Sequence, residues 1–123
     1  MRYFNDMDGE KIWWNIKTDI ELRIITGEYI AGERIPPARK LAEIYGVGTG
    51  TAVKAVDQLY IDGTIFKKRG KGFFVAPYII SELKKSHTVR LEKKLSDACE
   101  YAKMLGVDAV AIVNKISSCQ VTG

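Results

Sequence analysis

The chain has 123 residues, about the length of one ordinary domain or of a compact domain with a short appendage, which excludes a large catalytic domain. It is 46% apolar and 28% charged, as soluble globular chains are, so general disorder and fibrous repeats are excluded too. Its apolar runs fall far short of the ~20 residues that a membrane span needs. The net charge of +4 is modest, so the placement of charge is more informative than its total.

Few residues point to catalysis or to a cofactor. Cys99, Cys119 and the single His87 form neither a disulfide framework nor a cluster at metal-ligand spacing. Paired carboxylates and nucleophile motifs are lacking as well, so an enzyme is a remote alternative. We expect reduced structural thiols, no catalytic residues, no metal and no cofactor. The amino terminus does not resemble a secretory signal, so a cytoplasmic location is expected.

The first helix follows a polar stretch without periodicity, residues 1–10, which we interpret as a flexible arm. From residue 12 to residue 25 an isoleucine recurs at every fourth position, which predicts a helix with one buried face, ended by Gly27. The neighbours Trp13 and Trp14 point about 100° apart on such a helix. One is expected to cover the core and the other to meet solvent or a partner subunit.

Two further helices are predicted on either side of a glycine-containing turn. Pro36 and Pro37 disfavour helix before them and favour helix entry after them, so the second helix is expected over residues 38–45. A third is expected over residues 49–62, ended by Gly63. The side chains expected to point inward are Leu41, Ala42, Ala52, Val56, Leu59 and Tyr60. The intervening Gly46-Val47-Gly48 is typical of a helix-turn-helix, whose second helix would be the recognition helix.

The segment after Gly63 predicts a β-hairpin. Residues 64–75 are β-branched and aromatic on both sides of a basic tip that contains Gly70 and Gly72. Its four cations have no acidic neighbour between Gly63 and Pro77. Such side chains can neutralise phosphates, and glycines let the backbone approach a groove, so we interpret the hairpin as a DNA-contacting wing rather than as a merely solvated turn.

The start of the third helix offers further groups for DNA. Backbone amides and hydroxyls at residues 48–51 suit a phosphate or a base edge, while Gly48 or Thr49 caps the helix. Lys54 lies one turn further on, and Arg39 in the second helix could contact a phosphate or pair with Glu43. The predicted DNA-contacting residues are Arg39, Gly48, Thr49, Gly50, Thr51, Lys54, Lys67, Lys68, Arg69, Gly70, Lys71 and Gly72.

The carboxy-terminal part has a helical pattern from Pro77 onward. Apolar residues follow the 4-3-4-3 spacing of a short heptad seam, and a last apolar helix begins after Gly106 with Asp108 as its cap. Such a seam needs a partner, which predicts a homodimer. The predicted dimerisation residues are Leu91, Leu95, Ala98, Ala102, Leu105, Ile112 and Ile116.

An ordered series of motifs resembles the GntR family of winged-helix repressors. The motifs are Gly27-Glu28-Tyr29, Gly32, Ile35-Pro36-Pro37-Ala38-Arg39-Lys40-Leu41-Ala42, Gly46-Val47, Thr51, Lys54-Ala55, Leu59, Asp62-Gly63 and Gly70-Lys71-Gly72-Phe73-Phe74-Val75. The resemblance runs from about residue 12 to residue 75. It implies DNA contact at Arg39, Thr51 and the wing residues Gly70, Lys71 and Gly72.

The family joins its DNA-binding domain to a variable second region that dimerises and often senses a metabolite. Here that region has about 45 residues, too few for the larger sensor domains and similar to the two-helix dimerisation segment of the YtrA subfamily. The chain departs from the pattern where Pro37 replaces a serine and Gly48-Thr49 replaces a Ser-Arg pair. Losing that arginine removes a favoured guanine reader, so operator sequence does not transfer from relatives.

The sequence therefore predicts a mainly α fold with a small β-hairpin wing. A winged helix-turn-helix DNA-binding domain, residues 1–77, precedes a short carboxy-terminal helical dimerisation segment, residues 78–123. The function expected is that of a homodimeric repressor that binds an inverted-repeat operator in double-stranded DNA, with room for an unidentified small-molecule effector and no membrane partner. The alternative is a winged-helix protein-interaction module without sequence-specific DNA binding.

Overall fold

The computed structural model describes residues 12–119, the side chain of Cys119 excepted, so the predicted arm at residues 1–10 lies outside the described residues. The elements are α1 (Ile12–Ile25), α2 (Ala38–Tyr45), α3 (Thr49–Ile61), β1 (Ile65–Lys68), β2 (Gly72–Val75), α4 (Ile79–Leu105) and α5 (Ala109–Cys119). The predicted class, mainly helical with a β-hairpin wing, is confirmed. No helix within residues 12–119 is long and apolar enough to cross a membrane.

The chain divides into two compact units, one ending at Lys84 and the other beginning at Lys85. The first unit has a single apolar core to which every one of its elements contributes. The predicted assignment of DNA binding to residues 1–77 and of dimerisation to residues 78–123 concerns function and stays a prediction. The core residues are Ile16, Ile20, Ile24, Ile35, Leu41, Ala42, Ala52, Ala55, Val56, Leu59, Ile65, Val75 and Leu83.

The helix-turn-helix forms where the sequence predicted it. α1 and α2 have the predicted bounds, and Gly46 ends α2 in the left-handed conformation with φ +67°. Such a conformation favours glycine because it has no Cβ to clash. α3 packs against both α1 and α2, and the turn residue Val47 is half-buried against the core.

α3 ends within one residue of its predicted bound, with Gly63 left-handed at φ +80° behind it, but the prediction for Tyr60 was wrong. The helix ends at Ile61, and Asp62 is its C-cap. Tyr60 was expected in the core but is half exposed, because it points about 100° away from the fully buried Leu59. Its ring instead contacts the edge of the Phe73 ring of the wing, with centroids 5.7 Å apart. Ala55 takes the inward place beside Val56.

The wing is a two-stranded antiparallel sheet extended by one bridge. Ile65 pairs with Val75 at the base and Lys68 with Gly72 at the tip. On its other edge, β2 bridges to Arg34: Ile35 donates a backbone hydrogen bond to Phe73, and Val75 donates one to Glu33, both of 2.9 Å. The connector between α1 and α2 therefore supports the wing from its outer side.

The second unit consists of the rest of α4, from Lys85, and α5. Gly106, with φ +71°, ends α4, and the Asp108 side chain accepts a 2.9 Å hydrogen bond from the Val110 amide, as the predicted cap requires. Among the described side chains from Lys85 onward, Ala102 alone is buried. The other six predicted dimerisation residues are exposed in the single chain. This unit has no apolar core of its own among its described residues.

Candidate nucleic-acid interface

The carboxy-terminal end of α3 is fixed to α1 by a buried cation. The Lys17 side chain is only 5% exposed, and its ammonium lies 2.9 Å from Glu21 Oε2 and 3.2 Å from Asp62 Oδ2. The same ammonium lies 4.5 Å from the centroid of the Trp14 ring. A buried charge is costly unless it is paired, so this arrangement strongly favours one position of Asp62, the cap of α3.

The amino-terminal half of α3 is held by a second contact with α1. The Lys54 ammonium lies 5.0 Å from the centroid of the Trp13 ring, a cation–π distance. Trp13 is half-buried against the core and Trp14 is 41% exposed, which confirms the predicted division between the two tryptophans. α3 thus contacts α1 near its middle, at Lys54, and at its carboxy-terminal cap, Asp62.

A buried carboxylate positions α2 relative to α1. Asp19 is fully buried, and its Oδ2 accepts hydrogen bonds from Arg23 Nε at 2.8 Å and from the Tyr45 hydroxyl. Burial, together with this hydrogen bond to Asp19, raises the pKa of the Tyr45 phenol well above its ordinary value. The phenol is therefore a donor at neutral pH and keeps the end of α2 against α1.

The amino terminus of α3 is open. Gly48 is its N-cap, without a side-chain cap hydrogen bond, and Thr49 is its first helical residue. A Cβ added at Gly48 or at Gly50 would meet nothing within 4 Å. The first turn of the helix therefore presents backbone amides and small side chains with free space in front of them.

Arg39 lies in the first turn of α2 and is exposed. The ion pair considered for it, with Glu43, is taken by Lys40 instead, whose ammonium lies 3.6 Å from a Glu43 oxygen. Pro37 is the N-cap of α2 without a side-chain hydrogen bond, in keeping with the loss of a serine hydroxyl at that position. The Arg39 guanidinium makes no ion pair with another described residue.

The wing carries its cations over aromatic rings. Phe66 and Phe74 stack with centroids 5.9 Å apart, and the Lys68 ammonium lies 4.4 Å from the Phe74 centroid. On the opposite face, Lys67 lies 5.8 Å from the centroid of Phe73. The aromatic rings thereby stiffen both faces of the hairpin beneath exposed charges.

One cation beside this hairpin, Arg34, was not predicted from the sequence. Gly72 has φ +105°, and a Cβ on it would lie 2.8 Å from Arg34 Nε, so the guanidinium lies against the Gly72 backbone. Arg34 is exposed and makes no hydrogen bond or ion pair with another described residue. The signal was weak because Arg34 stands in a short connector, far along the chain from the wing.

The predicted DNA-contacting residues all lie in the first unit, on α2, on the wing and on α3, which contacts both of the others. Arg39 is on α2, residues 48–54 are at the start of α3, and residues 67–72 form the wing tip. Ten of the twelve are exposed, and Thr51 and Gly72 are half-buried. A basic hairpin beside an open recognition helix defines a winged helix-turn-helix protein.

The chain belongs to the GntR family of bacterial regulatory proteins, which are DNA-binding transcriptional regulators. The family model, described as bacterial regulatory proteins of the gntR family, matches residues 14–75, half of the chain. The match runs from α1 to the last residue of the wing.

Known proteins similar to this chain have the same fold. A GntR family transcriptional regulator from Listeria monocytogenes superposes with a TM-score of 0.74 at 23% identity, over 92% of this chain and 98% of that one. AraR(DBD) in complex with operator ORX1 superposes with a TM-score of 0.51 at 28% identity, over 59% of this chain and 92% of that one.

A relative is also found by sequence. The HTH-type transcriptional regulator YdeF of Bacillus subtilis strain 168 is 24% identical over 106 residues, which is 81% of this chain. The chain spans about a quarter of the length of YdeF, 23%.

Proposed function

We propose that this chain is a homodimeric transcriptional repressor that binds an inverted-repeat operator through the start of α3 and through the wing. The observation that carries the proposal is the hairpin, whose exposed cations stand on the same unit as the open amino terminus of a recognition helix that α1 holds at its middle and at its carboxy-terminal cap. A rigid, positively charged surface of this kind suits the phosphate backbone and the major groove of duplex DNA.

In the proposed complex, each element has its own role. α3 enters the major groove with the exposed side of its first two turns toward the bases, and the wing reaches the adjacent minor groove. Arg39 at the start of α2 contacts a phosphate. Arg34 adds a fifth cation to the wing, because its guanidinium lies against the backbone of Gly72 in β2. AraR(DBD), which shares this fold over 59% of the chain, is bound to an operator, and this supports DNA binding by the first unit.

The exposed apolar residues of the second unit support the proposed dimer. Leu91, Leu95 and Leu105 on α4 and Ile112 and Ile116 on α5 are each 44 to 61% exposed in the single chain. Exposed apolar side chains at heptad spacing are the pattern that a second copy covers. The two-helix arrangement of α4 and α5 also favours assignment to the YtrA subfamily.

The experiment that tests the proposal is selection of bound sequences from a random duplex pool, repeated at two salt concentrations. We expect enrichment of an inverted repeat whose half-sites lie about one helical turn apart, with weaker binding at the higher salt concentration. Enrichment without inverted symmetry would contradict the dimeric mode. Retention of no duplex at either salt concentration would contradict DNA binding and favour the protein-interaction module.

Repression is tested separately, with a reporter gene behind the enriched sequence. We expect the wild-type chain to lower reporter expression and an operator-free reporter to be unaffected. Raised expression would identify an activator instead.

A further inference from the structure

The exposed side of α3 carries a short apolar surface where DNA-reading helices usually present donors. Thr49, Gly50 and Val53 are exposed along its first two turns, and Val53 is 40% exposed. Residues four apart lie on the same side of a helix, so Val53 follows directly below Thr49. The next residue on this side, Asp57, is an acid and is also exposed.

The long side chains of α3 that could read guanine or adenine, Lys54 and Gln58, are engaged elsewhere. Lys54 is the one cation of the helix, and its ammonium lies over the Trp13 ring of α1. Gln58 Nε2 donates a 3.0 Å hydrogen bond to Asp62 Oδ1 within α3 itself. An ionised Asp57 only accepts hydrogen bonds. The major-groove edge of guanine offers two acceptors, so Asp57 cannot read it.

The base edge that complements this surface is thymine. Its C5 methyl group is the apolar group that a base pair presents in the major groove, and apolar side chains recognise it by contact. Glycines at positions 48 and 50, with free space in front of both, allow the helix to come close to that groove.

We infer that Val53 is a specificity-determining residue that selects a thymine by contact with its methyl group. In this arrangement the operator half-site has T·A pairs under the start of α3, and the wing cations provide most of the binding energy through phosphates. The inference rests on the proposed function and adds to it the chemical class of the base pairs that α3 reads.

The test uses the full chain and the duplex enriched from the random pool. Each thymine of one half-site is replaced in turn by uracil, which removes the methyl group and leaves every hydrogen-bonding group in place. The dissociation constant is measured for the wild-type chain, for Val53→Ala and for Ile61→Ala. Ile61 is a matched control because it is an exposed apolar residue at the far end of the same helix.

We expect one thymine at which uracil weakens wild-type binding about fourfold, the loss that corresponds to one buried methyl group. Val53→Ala should abolish that difference, whereas Ile61→Ala should keep it. Half-sites with guanine under α3 and no effect of uracil would overturn the inference while leaving the proposed function intact. A uracil effect that persists in Val53→Ala would overturn it as well. Absence of any enriched duplex would overturn the proposed function, and the inference with it.

Discussion

Asp19 determines the relative position of two helices through one oxygen atom. Its Oδ2 accepts hydrogen bonds from Arg23 on α1 and from Tyr45 at the end of α2, while Oδ1 has no hydrogen-bond partner among the described residues. A buried carboxylate needs its donors, because desolvation of an unpaired charge is costly. The correct placement of the helix-turn-helix therefore depends on the Tyr45 hydroxyl.

Replacing Tyr45 by phenylalanine should lower the free energy of unfolding by about 1 to 3 kcal/mol, since Asp19 then loses one of its two donors. Urea denaturation at pH 7 measures the change. Tyr78→Phe serves as the control, because Tyr78 is 88% exposed and the substitution should leave the free energy of unfolding unchanged. Equal stability of Tyr45→Phe and wild type would contradict a role for this hydrogen bond.

The stabilities of wild type and Tyr45→Phe should respond differently to alkaline pH. The pKa of Tyr45 is raised in the folded state by burial and by the hydrogen bond to Asp19, so the folded protein holds this proton more tightly than the unfolded chain. The stabilisation is complete below about pH 10, the ordinary tyrosine pKa, and is lost as the pH rises toward the folded-state value. The stability difference between wild type and Tyr45→Phe should therefore shrink above pH 10 and stay constant between pH 6 and 9.

The sequence showed which residues of the wing matter, but not which residues they contact. Gly72 was predicted to contact DNA because a glycine lets the backbone approach a groove. The structure adds a second reason, a φ of +105° with the Arg34 guanidinium where a Cβ would lie. The Arg34 bridge joins residues distant in the chain, and periodicity within one segment carries no signal of such a pairing.

At the level of elements, the boundaries that glycine and proline set were predicted to the residue. α1 and α2 have the predicted bounds: Gly27 and Gly46 follow their ends in the left-handed conformation that glycine tolerates, and the Pro36-Pro37 pair disfavours helix before residue 38. α3 is likewise followed by a left-handed glycine, Gly63, and its last helical residue, Ile61, lies one position before the predicted end, where Lys17 contacts the cap residue Asp62. Tyr60 was misplaced because its partner, Phe73, belongs to another element.

The wing as an element should provide much of the salt-dependent binding. Changing Lys67, Lys68, Arg69 and Lys71 together to alanine should weaken DNA binding and reduce the slope of log affinity against log salt by about 3 to 4, since each phosphate contact contributes about 0.9. Anisotropy titrations of the enriched duplex at several salt concentrations measure both quantities.

The control for the wing variant removes the same number of positive charges elsewhere. Lys85, Lys93, Lys103 and Lys115 are exposed and lie in the second unit, so their joint replacement by alanine changes the net charge equally. The control should keep nearly the wild-type slope. If both variants lost the same affinity and slope, total charge rather than the wing would account for binding.

At the scale of the whole molecule, the chain contains one unit that folds around its own core and one that does not. The described side chains from Lys85 onward bury Ala102 alone, although their apolar spacing is regular. The heptad pattern was predictable because it lies within one helix, whereas a pattern within one helix does not show what covers it. The second copy proposed here would supply them and would also set the spacing of two recognition helices.

Leu95→Glu should separate the two copies, because it places a charge in the centre of the proposed seam. The wild-type chain should show twice its own mass of 13.8 kDa by light scattering, and the variant a single mass. Val89→Glu is the matched control: Val89 is 64% exposed and lies about 120° around α4 from Leu95, outside the predicted seam, so this variant should stay dimeric. Binding to a duplex with two half-sites should fall about a hundredfold in Leu95→Glu, since linkage of the two DNA-binding units is lost. Binding to a single half-site should be unchanged, because α3 and the wing are intact. A dimeric Leu95→Glu chain, or a wild-type chain of single mass at tens of micromolar, would refute the seam and require the inverted repeat to be read by independent copies.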